Sequence, residues 1–419
     1  MTEQDKKKFK TVPAMDMDEY KQKIREHRLK ILKRTLVTAL IVFVIIAGLF
    51  LFLALRHYED FDVNSTVERS DTAATIFEEF QGNILKYSND GALYTDTYNE
   101  RIWNQTYEMA KPTIDMCEDY LVIYDKKGTQ IYIMTSQGLV SNIETTMTIE
   151  QVSIAAQGTV AVLMGDQSNS YLVVYDKNGK ELVNGAIYGE DGGYPIAIAL
   201  SNDAIKLAVS MLDINDGNVK TTIAFYNFGS VGENEIDRIV SANSFSDMVI
   251  PQLDFVSDDR MVAYGDSEIA IFEGTQKPKL TQEIPLTGEA KSIFNNNKYV
   301  GVVYSNNDEN LTHHVAVYDM HGFTVMEKDF SQEYTEIGFL SNNEVCILND
   351  HSCDIYTVRG IYKFHYDFDE ELYKVISGRN WFKLYDHTGK FDRESKTEMR
   401  STYELVTDYY CVVIGALCC

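Results

Sequence analysis

Two patterns of apolar residues divide the chain. An uninterrupted apolar run of 21 residues extends from Thr35 to Leu55 and is bracketed by Arg34 and Arg56. From Asn83 onward, short runs of Val, Ile, Tyr, Phe and Thr alternate with turns rich in Gly, Asn and Asp. The first pattern predicts a helix that can cross a bilayer, because it would be about 30 Å long. The second pattern is typical of β-strands joined by hairpins.

The strand pattern repeats at intervals of 38 to 50 residues. Each of six units contains a pair of strands joined by a tight turn with a glycine; these glycines are Gly138, Gly179, Gly229, Gly274, Gly322 and Gly360. Two more strands precede each pair, and the second strand of each unit is continuously apolar. Four strands in a repeat of roughly 40–50 residues predict a β-propeller blade. A β-sandwich with accidental spacing is the alternative.

The two ends of the repeat region hold incomplete units. Residues 83–109 resemble the outer half of a blade, and residues 372–387 resemble an inner half. Joined in one sheet, these halves would close the ring and leave no open edge. We therefore predict an all-β, seven-bladed β-propeller behind one N-terminal transmembrane helix, with eight blades as the alternative.

The charge distribution predicts an orientation in the membrane. Residues 1–34 hold 11 Lys or Arg against 6 Asp or Glu, whereas residues 35–419 hold 27 against 57. The positive-inside rule then places residues 1–34 in the cytoplasm and residues 56–419 outside. A cleaved signal peptide is the competing interpretation, but the basic segment is long and no small-residue cleavage site follows the apolar run. The acidic surface argues against nucleic-acid binding, which needs clustered Lys and Arg.

These patterns divide the chain into five parts: a basic cytoplasmic tail (1–34), a transmembrane helix (35–55), a stalk (56–82), an extracytoplasmic propeller (83–400) and an apolar C-terminal tail (401–419). We expect residues 19–34 to continue the membrane helix. Residues 70–80 are expected to form a short helix, because Ser70 or Asp71 can cap it. The apolar tail is too short to span a bilayer, and we expect an extra strand or a loosely docked segment.

Four segments behind the membrane helix carry a family resemblance. They are ILKYSNDGALYTDTYNERIWNQTYEM from Ile84, IAAQGTVAV from Ile154, GYPIAIALSNDAIKLAVSMLD from Gly193 and AFYNFGSVG from Ala224. In this order they resemble a family of uncharacterised Gram-positive envelope proteins, and the resemblance covers nearly the whole chain. It implies one N-terminal anchor and a propeller domain of unknown function, and it implies no activity. The Cys-rich C-terminal tail is not part of the family pattern.

Two motifs, one aromatic and one polar, are candidates for a cofactor site and a metal site. RIWNQTYE resembles the tryptophan-docking segment of quinone-cofactor propellers, but Trp103 does not recur from unit to unit, and we expect it to pack between blades. LDINDGNVK resembles a calcium loop, but it lacks the register and the distal Glu of an EF-hand. Its polar residues are Asp213, Asn215, Asp216 and Asn218. A turn with Asp-Gly chemistry between two strands is the better interpretation.

Histidines and cysteines give no stronger signal. His313 and His314 are adjacent, so on a strand they point to opposite faces, and we expect no zinc site with the nearby His321. Cys346 and Cys353 lie seven residues apart across a predicted strand turn, which allows a disulfide without indicating one. The cysteines show no CxxC spacing, and we interpret them as apolar strand residues.

The sequence contains no recognisable catalytic motif. GxSxG, HExxH, Walker A and GxGxxG patterns do not occur at a strand–helix junction. Acidic residues are too numerous to single out a glycosidase pair. We therefore assign no catalytic, cofactor-binding or metal-ligating residue, and no cofactor.

The hypothesis that follows is a binding or scaffold module of the cell envelope. It would be a single-pass protein of the cell membrane, held in the lipid bilayer through residues 35–55, with its C-terminal domain outside. Its partner would be an envelope protein or a glycan, and not a nucleic acid. The alternatives are a glycan-active enzyme with a site at the propeller funnel, and a transmembrane sensor.

Overall fold

A computed structural model of the chain contains two compact units, one up to Arg56 and one from His57 onward. The structure describes residues 17–55, 57, 62–68, 74–96, 99–165, 169–187, 193–215, 217–306, 310–368, 372–377, 401–407 and 410–416.

The described residues of the first unit form one helix, α1 (Met17–Leu55). Residues 19–34 continue the apolar segment as helix, as the sequence predicted. Its described side chains are exposed from residue 21 onward. Within α1, Lys21–Leu49 is long and apolar enough to cross a membrane.

The second unit consists of β-strands in four-stranded antiparallel sheets. Strand β1 (Asp62–Glu68) comes first and belongs to the last sheet of the ring. The next 28 strands form seven sheets of four consecutive strands each, which we call blades 1 to 7.

Blades 1 to 4 contain the following strands. Blade 1 contains β2 (Ile76–Phe80), β3 (Asn83–Ser88), β4 (Gly91–Thr95) and β5 (Arg101–Thr106), and blade 2 contains β6 (Pro112–Cys117), β7 (Tyr120–Asp125), β8 (Gln130–Thr135) and β9 (Gly138–Glu144). Blade 3 contains β10 (Thr148–Ile154), β11 (Val160–Gly165), β12 (Ser170–Tyr175) and β13 (Glu181–Ile187), and blade 4 contains β14 (Tyr194–Leu200), β15 (Lys206–Asn215), β16 (Asn218–Asn227) and β17 (Ile239–Ser246).

Blades 5 to 7 and the last sheet complete the unit. Blade 5 contains β18 (Gln252–Ser257), β19 (Arg260–Tyr264), β20 (Glu268–Glu273) and β21 (Lys279–Pro285), and blade 6 contains β22 (Ala290–Asn295), β23 (Tyr299–Ser305), β24 (His313–Asp319) and β25 (Thr324–Phe330). Blade 7 contains β26 (Glu336–Phe339), β27 (Val345–Leu348), β28 (Ser352–Tyr356) and β29 (Tyr362–Asp367). The last sheet contains β1 together with β30 (Leu372–Ser377), β31 (Ser401–Thr407) and β32 (Tyr410–Ala416).

The last sheet, which we call the closing sheet, joins the two ends of the propeller. Its strand order is β30, β31, β32 and then β1. β1 pairs antiparallel with β32, from Asp62 opposite Gly415 to Glu68 opposite Tyr410. The N-terminal strand therefore forms the outer edge of a sheet whose other three strands come from the C-terminal end.

The predicted β-propeller is confirmed, and its ends meet in one sheet as expected. Seven blades are built from consecutive strands. The closing sheet is an eighth four-stranded sheet, which corresponds to the alternative prediction of eight blades. The predicted composition of the composite sheet was wrong. Residues 83–109 contain three strands of a complete blade, and Ile76–Phe80 supplies its first strand.

Two further expectations near the ends are corrected. The segment predicted as a short helix, 70–80, contains strand β2, which pairs antiparallel with β3 from Ile76 opposite Tyr87 to Phe80 opposite Asn83. The apolar tail, 401–419, contains strands β31 and β32, which lie inside the closing sheet. The sheet region therefore begins at Asp62 and not at Asn83.

The hydrophobic core is divided into layers between neighbouring sheets. Each of seven clusters of buried side chains draws on two successive sheets, from blades 1 and 2 to blade 7 and the closing sheet. The second strands have the most buried positions, and all six residues of β11 are buried. Each fully buried Ile, Leu, Val or Phe contributes about 1.5–3 kcal/mol, so the contacts between blades provide most of the driving force for folding.

The glycine turns predicted from the repeat lie where the third strand of a blade leads to the fourth. Gly179 and Gly322 follow an Asp-x-x-Gly pattern and have φ values of 81° and 79°. The carboxylate of Asp176 accepts hydrogen bonds from two backbone N–H groups of its turn, and Asp319 does the same. Glycine is favoured here because this left-handed conformation strains other residues.

Strand alternation gives the ring two distinct faces. The connections between the first and second strands of a blade lie on the same face as those between the third and fourth strands, because antiparallel strands reverse direction each time. We call this the front face. The back face carries the second-to-third connections and the links between blades. A hydrogen bond on the front face between Gln157 and Asp203 O confirms that neighbouring blades share this orientation.

A Gly301→Ala substitution should destabilise blade 6. A Cβ atom at Gly301 would lie 2.1 Å from Cζ of the buried Phe294 ring, and that ring already packs on Phe339 at 4.8 Å between centroids. We expect a loss of about 1–3 kcal/mol in the free energy of unfolding, measured by urea denaturation of the full chain in detergent.

Gly185→Ala is the matched control, because a Cβ at Gly185 meets nothing within 4 Å. Phe294→Leu should partly restore the stability of the Gly301→Ala chain. Equal stabilities of the two alanine variants would contradict this account of the packing.

Candidate functional site

The first strands of the eight sheets surround the central channel, as in other propellers. Seven of these strands carry polar or charged residues inside otherwise apolar segments. The residues are Glu78, Asp115, Gln151, Asp254, Asn295, Glu336 and Lys374. A blade packs against its neighbours through apolar side chains, so these polar groups need partners near the channel.

Side-chain hydrogen bonds or ion pairs cross all eight junctions between neighbouring sheets. In ring order, starting between blades 1 and 2, the pairs are Gln81–Glu118, Asp115–Ile154, Gln151–Ile198, Asn227–Gln276, Asp254–Asn295, Asn296–Asn343, Glu336–Lys374 and Lys374–Glu78. The ring is therefore joined by polar contacts as well as by its apolar layers.

The junction between blades 3 and 4 shows how these contacts work. The Gln151 carboxamide donates from Nε2 to the Ile198 carbonyl oxygen at 3.1 Å and accepts at Oε1 from the Ile198 N–H at 2.9 Å. The Ser153 hydroxyl oxygen accepts from the Leu200 N–H at 3.0 Å. These side chains take the place of a neighbouring strand for β14, which has a sheet partner on one side only.

Two carboxyl groups in the first strands have raised pKa values. Burial raises the pKa of Asp115 to about 7, and the charge of Asp254 adds to the increase, although the N–H groups of Ile154 and Met116 oppose it. Burial also raises the pKa of Asp254, while the hydrogen bond from Asn295 opposes that change. The effect of the Asp254 charge on the pKa of Asp115 indicates that the two carboxyls lie near enough to interact electrostatically.

Lys374 connects the closing sheet to both of its neighbours. Its ammonium nitrogen lies 2.8 Å from a Glu78 carboxylate oxygen of blade 1 and 3.1 Å from a Glu336 oxygen of blade 7. Burial lowers the pKa of Lys374, but the two carboxylates outweigh burial and leave it raised. The lysine therefore stays charged and forms a bridge between three sheets.

A pocket of about 250 Å³ opens beside this bridge. Glu78, Glu79, Glu336 and Lys374 form its charged side. Its apolar side consists of Phe294, Phe339, Leu340, Cys346, Leu348 and Val375, with Asn295 and Gly338 between the two sides. Two of these carboxylates, Glu78 and Glu336, contact the one ammonium group, so this cluster has a net negative charge when all three are ionised. Drug-sized ligands occupy pockets of about 300–1,000 Å³, so this one suits the end of a side chain or a small solute.

Trp103 lies in the position expected for an aromatic residue between blades. Its ring stacks on Tyr94 at 5.2 Å between centroids with an angle of 24°, and it approaches Gly138 of blade 2. The indole belongs to the apolar layer between blades 1 and 2.

The candidate calcium loop is a hairpin turn at the end of two long strands. Asn215 pairs with Asn218 at the end of the hairpin. Asp216 lies outside the described residues, and Gly217 has a φ of 81°. An Asp-Gly pair is a favoured turn for a two-residue hairpin, as the sequence predicted.

The histidines point in different directions. His313 packs against Phe330 and Tyr334, with 5.0 and 5.2 Å between ring centroids. Nδ1 of His314 lies 2.6 Å from a carboxylate oxygen of Asp329 instead. Across the described residues there is no group of three or more His, Cys, Asp or Glu that could hold a metal ion.

Cys346 and Cys353 are neighbours across strands β27 and β28. Their sulfur atoms are 3.7 Å apart, both side chains are buried, and both thiols are free. The contact with the Cys353 thiol and burial both raise the pKa of Cys346. They belong to the apolar layer between blade 7 and the closing sheet, as expected for apolar strand residues.

The sequence did not single out the residues of the pocket. A charged residue within an apolar first strand was the available signal, as at Lys374 in LYKVIS. That signal does not show which strands are neighbours, and the contact of Lys374 with Glu78 joins residues 296 positions apart.

Comparison with known families gives one match. The model of a family of unknown function, DUF5711, matches residues 54–390. None of the curated proteins matches the chain.

Several solved structures have a similar fold. BamB from Moraxella catarrhalis shares 12% identity at a TM-score of 0.49, covering 85% of this chain and 100% of that one. Kluyveromyces lactis Hsv2p shares 12% identity at a TM-score of 0.45, covering 69% and 96%. The WD40 domain of Neurospora crassa Pan2 shares 10% identity at a TM-score of 0.40, covering 73% and 88%. At these identities the likeness concerns the fold alone.

Lys374→Gln should weaken the junctions on both sides of the closing sheet. The change leaves Glu78 and Glu336 facing each other without a cation, and we expect the free energy of unfolding to fall by about 1–3 kcal/mol. Lys277→Gln is the matched control, because its ion pair with Glu235 also joins two blades but is more exposed. That control should change stability by less than about 1 kcal/mol. Equal losses in the two variants would contradict a special role for Lys374.

Asp115 should make the protein less stable as the pH rises from about 4 to 7. Its pKa is about 7 in the folded state against 3.8 ordinarily, so the native state binds the extra proton in this window. Stability is lost as that proton dissociates, by an amount that we expect to be about 2 kcal/mol after allowing for the partial exposure of Asp115.

Asp115→Asn removes this part of the pH dependence, because an amide does not ionise. Asp90→Asn, in an exposed turn, serves as the control and should keep the slope of the parent chain. Urea denaturation at a series of pH values measures the slopes, and an unchanged slope in Asp115→Asn would contradict the assignment.

Proposed function

Since the chain belongs to the DUF5711 family, whose function is unknown, we propose a function from its own geometry. The protein is a binding module of the cell envelope, held at the membrane by α1. Its propeller recognises a partner protein, and the pocket beside Lys374 receives a positively charged side chain of that partner.

The observation that carries this proposal is the composition of the pocket. Two carboxylates, Glu78 and Glu336, contact one ammonium group, and the rings of Phe294 and Phe339 also line the pocket. Carboxylates and aromatic rings both attract ammonium and guanidinium groups. The volume of about 250 Å³ is too small for an oligosaccharide and fits one side-chain end. A protein partner is therefore favoured over a glycan.

Anchoring by α1 is supported by its composition and its hydrogen bonds. The segment from Thr35 to Leu55 has no charged residue. The Thr35 and Thr38 hydroxyls donate to the carbonyl oxygens of Leu32 and Arg34, both at 2.9 Å. Polar groups inside a bilayer need such internal partners, so neither threonine opposes insertion.

The orientation is supported by charge. The basic residues 1–34 favour the cytoplasmic side, and the acidic remainder of the chain favours the outside. A propeller outside the membrane can reach partners in the envelope, whereas the helix alone provides no pocket of this composition.

An enzyme that acts on envelope glycans is the second candidate. The raised pKa values of Asp115 and Asp254 favour it, because catalytic acids are often tuned in this way. However, both carboxyls are already engaged. Asp115 accepts from the Ile154 and Met116 N–H groups, and Asp254 accepts from Asn295. These contacts assign the two carboxyls to the junctions between blades, so we favour binding.

Filling the pocket should abolish partner capture. A Cβ at Gly338 meets nothing within 4 Å, so Gly338→Phe places a ring in the pocket without a backbone clash. Gly185→Phe is the matched control, because Gly185 is equally open and lies in the outer strand of blade 3. Intact cells that express each full-length chain are treated with a membrane-impermeant amine-reactive crosslinker, and the crosslinked products are identified by mass spectrometry.

We expect the parent chain and Gly185→Phe to give the same crosslinked partner, and Gly338→Phe to lose it. Capture by all three chains would overturn the role of the pocket. Crosslinking only after the cells are permeabilised would overturn the proposed orientation.

A further inference from the structure

We propose that the basic end of α1 binds anionic lipid headgroups through four cations, Arg28, Lys30, Lys33 and Arg34, which we call the basic collar. This inference rests on the proposed anchoring by α1, and it adds the class of lipid that surrounds this end of the helix. It concerns the helical unit alone.

Cations are concentrated at one end of the apolar run. Residues 21–34 contain seven Lys or Arg and one acidic residue, Glu26. Residues 56–62, at the other end of the run, contain one Arg and three acidic residues. A cluster of roughly four to eight cations next to a membrane span is typical of a segment that binds anionic lipids. Only the first end of the apolar run therefore has the charge that attracts such lipids.

The helix carries these cations directly out of the apolar run. α1 is continuous from Met17 to Leu55, and neither Pro nor Gly occurs in it before Gly48. At 1.5 Å per residue, Arg34 lies about 1.5 Å and Arg28 about 10 Å before the apolar run begins. The headgroup layer is roughly 5–7 Å thick, and the attraction of its charge reaches about 8–10 Å further at moderate salt. All four cations of the basic collar are therefore within reach of lipid phosphates.

The basic collar has cations on both sides of the helix. At about 100° per residue, Arg28 lies on the opposite side of α1 from the other three cations. The side chains of all four are exposed. A helix that lies flat on a membrane collects its apolar residues on one side, whereas Ile24 and Leu29 are about 140° apart around the axis. This arrangement suits an upright helix with lipid headgroups around it.

The preference for anionic lipid follows from the net charge of the headgroup. A guanidinium group donates two parallel hydrogen bonds to a phosphate, and the ammonium group of lysine attracts it as a point charge. In phosphatidylcholine the choline cation cancels the phosphate charge, whereas phosphatidylglycerol carries no such cation. Four cations in one layer therefore gain more from phosphatidylglycerol than from phosphatidylcholine.

Quenching by brominated lipids can measure this preference. The full-length chain is reconstituted into vesicles of equal parts phosphatidylglycerol and phosphatidylcholine, with bromine on the acyl chains of one lipid or the other. Leu36→Trp reports on the lipids beside the basic collar, and Phe52→Trp is the matched control near the other end of the helix. The two positions are 60% and 62% exposed. The emission of the parent chain is subtracted, because Trp103 and Trp381 are present in every variant.

We expect brominated phosphatidylglycerol to quench Leu36→Trp about twofold more strongly than brominated phosphatidylcholine does. The two brominated lipids should quench Phe52→Trp equally, because acidic residues predominate beyond that end of the helix.

Two triple variants of the Leu36→Trp chain locate the cations responsible. The near variant carries Lys30→Gln, Lys33→Gln and Arg34→Gln, and it should lose the preference. The far variant removes the same charge through Lys21→Gln, Lys23→Gln and Arg25→Gln. It should keep most of the preference, because these three cations lie about 15–21 Å from the apolar run, beyond the headgroup layer.

Three results would overturn the inference. Equal quenching of Leu36→Trp by the two brominated lipids, in a chain that floats with the vesicles, would show that the basic collar does not select anionic lipid, and would leave the anchoring intact. Equal losses in the near and far variants would show that total charge decides, and not the position of the collar. Failure of the parent chain to float with vesicles would overturn the anchoring together with this inference.

Discussion

The propeller depends on the need to satisfy polar groups between sheets that are otherwise packed through apolar side chains. Each first strand has a sheet partner on one side only, and its free side faces the next blade and the channel. Carboxamides, hydroxyls and carboxylates from one sheet complete these contacts, as Gln151 does for the backbone of Ile198. Left unsatisfied, each such group would cost about 1–3 kcal/mol. The same requirement explains the raised pKa of Asp115, because a carboxyl that joins two blades must be partly removed from water.

At the closing sheet this requirement is met by an ion pair that is shared among three sheets. Lys374 can neutralise either Glu78 or Glu336 fully but not both, so negative charge is left beside the pocket. In the function that we propose, the same group therefore serves both structure and recognition. The lysine joins the first, seventh and closing sheets, and the uncompensated carboxylate charge is available to a cation from outside. The residues that line the charged part of the pocket therefore also form the junctions between these sheets.

The architecture could be predicted from the sequence because it depends on local patterns that repeat. The glycine turns at Gly179 and Gly322 and the apolar second strands identified the propeller, and the Asp-Gly turn was recognised by its chemistry. Two local signals failed. Ile76–Phe80 was assigned to a helix because capping residues precede it, but pairing with β3 decides its conformation. Glu78 and Lys374 could not be brought together, since their contact depends on ring closure, and nothing local in either strand encodes it.

The pairing of β1 with β32 also determines when the ring can close during synthesis. Asp62 and Gly415 stand at opposite ends of the sheet region, yet they are neighbours in one ladder. At synthesis rates of roughly 5–20 residues per second, β1 waits about 20–70 s for its partner. Until then the blades form an open arc with exposed edges, which are sites of aggregation and proteolysis. A chain that stops before β32 therefore never becomes a ring, and closure of the last sheet depends on residues that are made late.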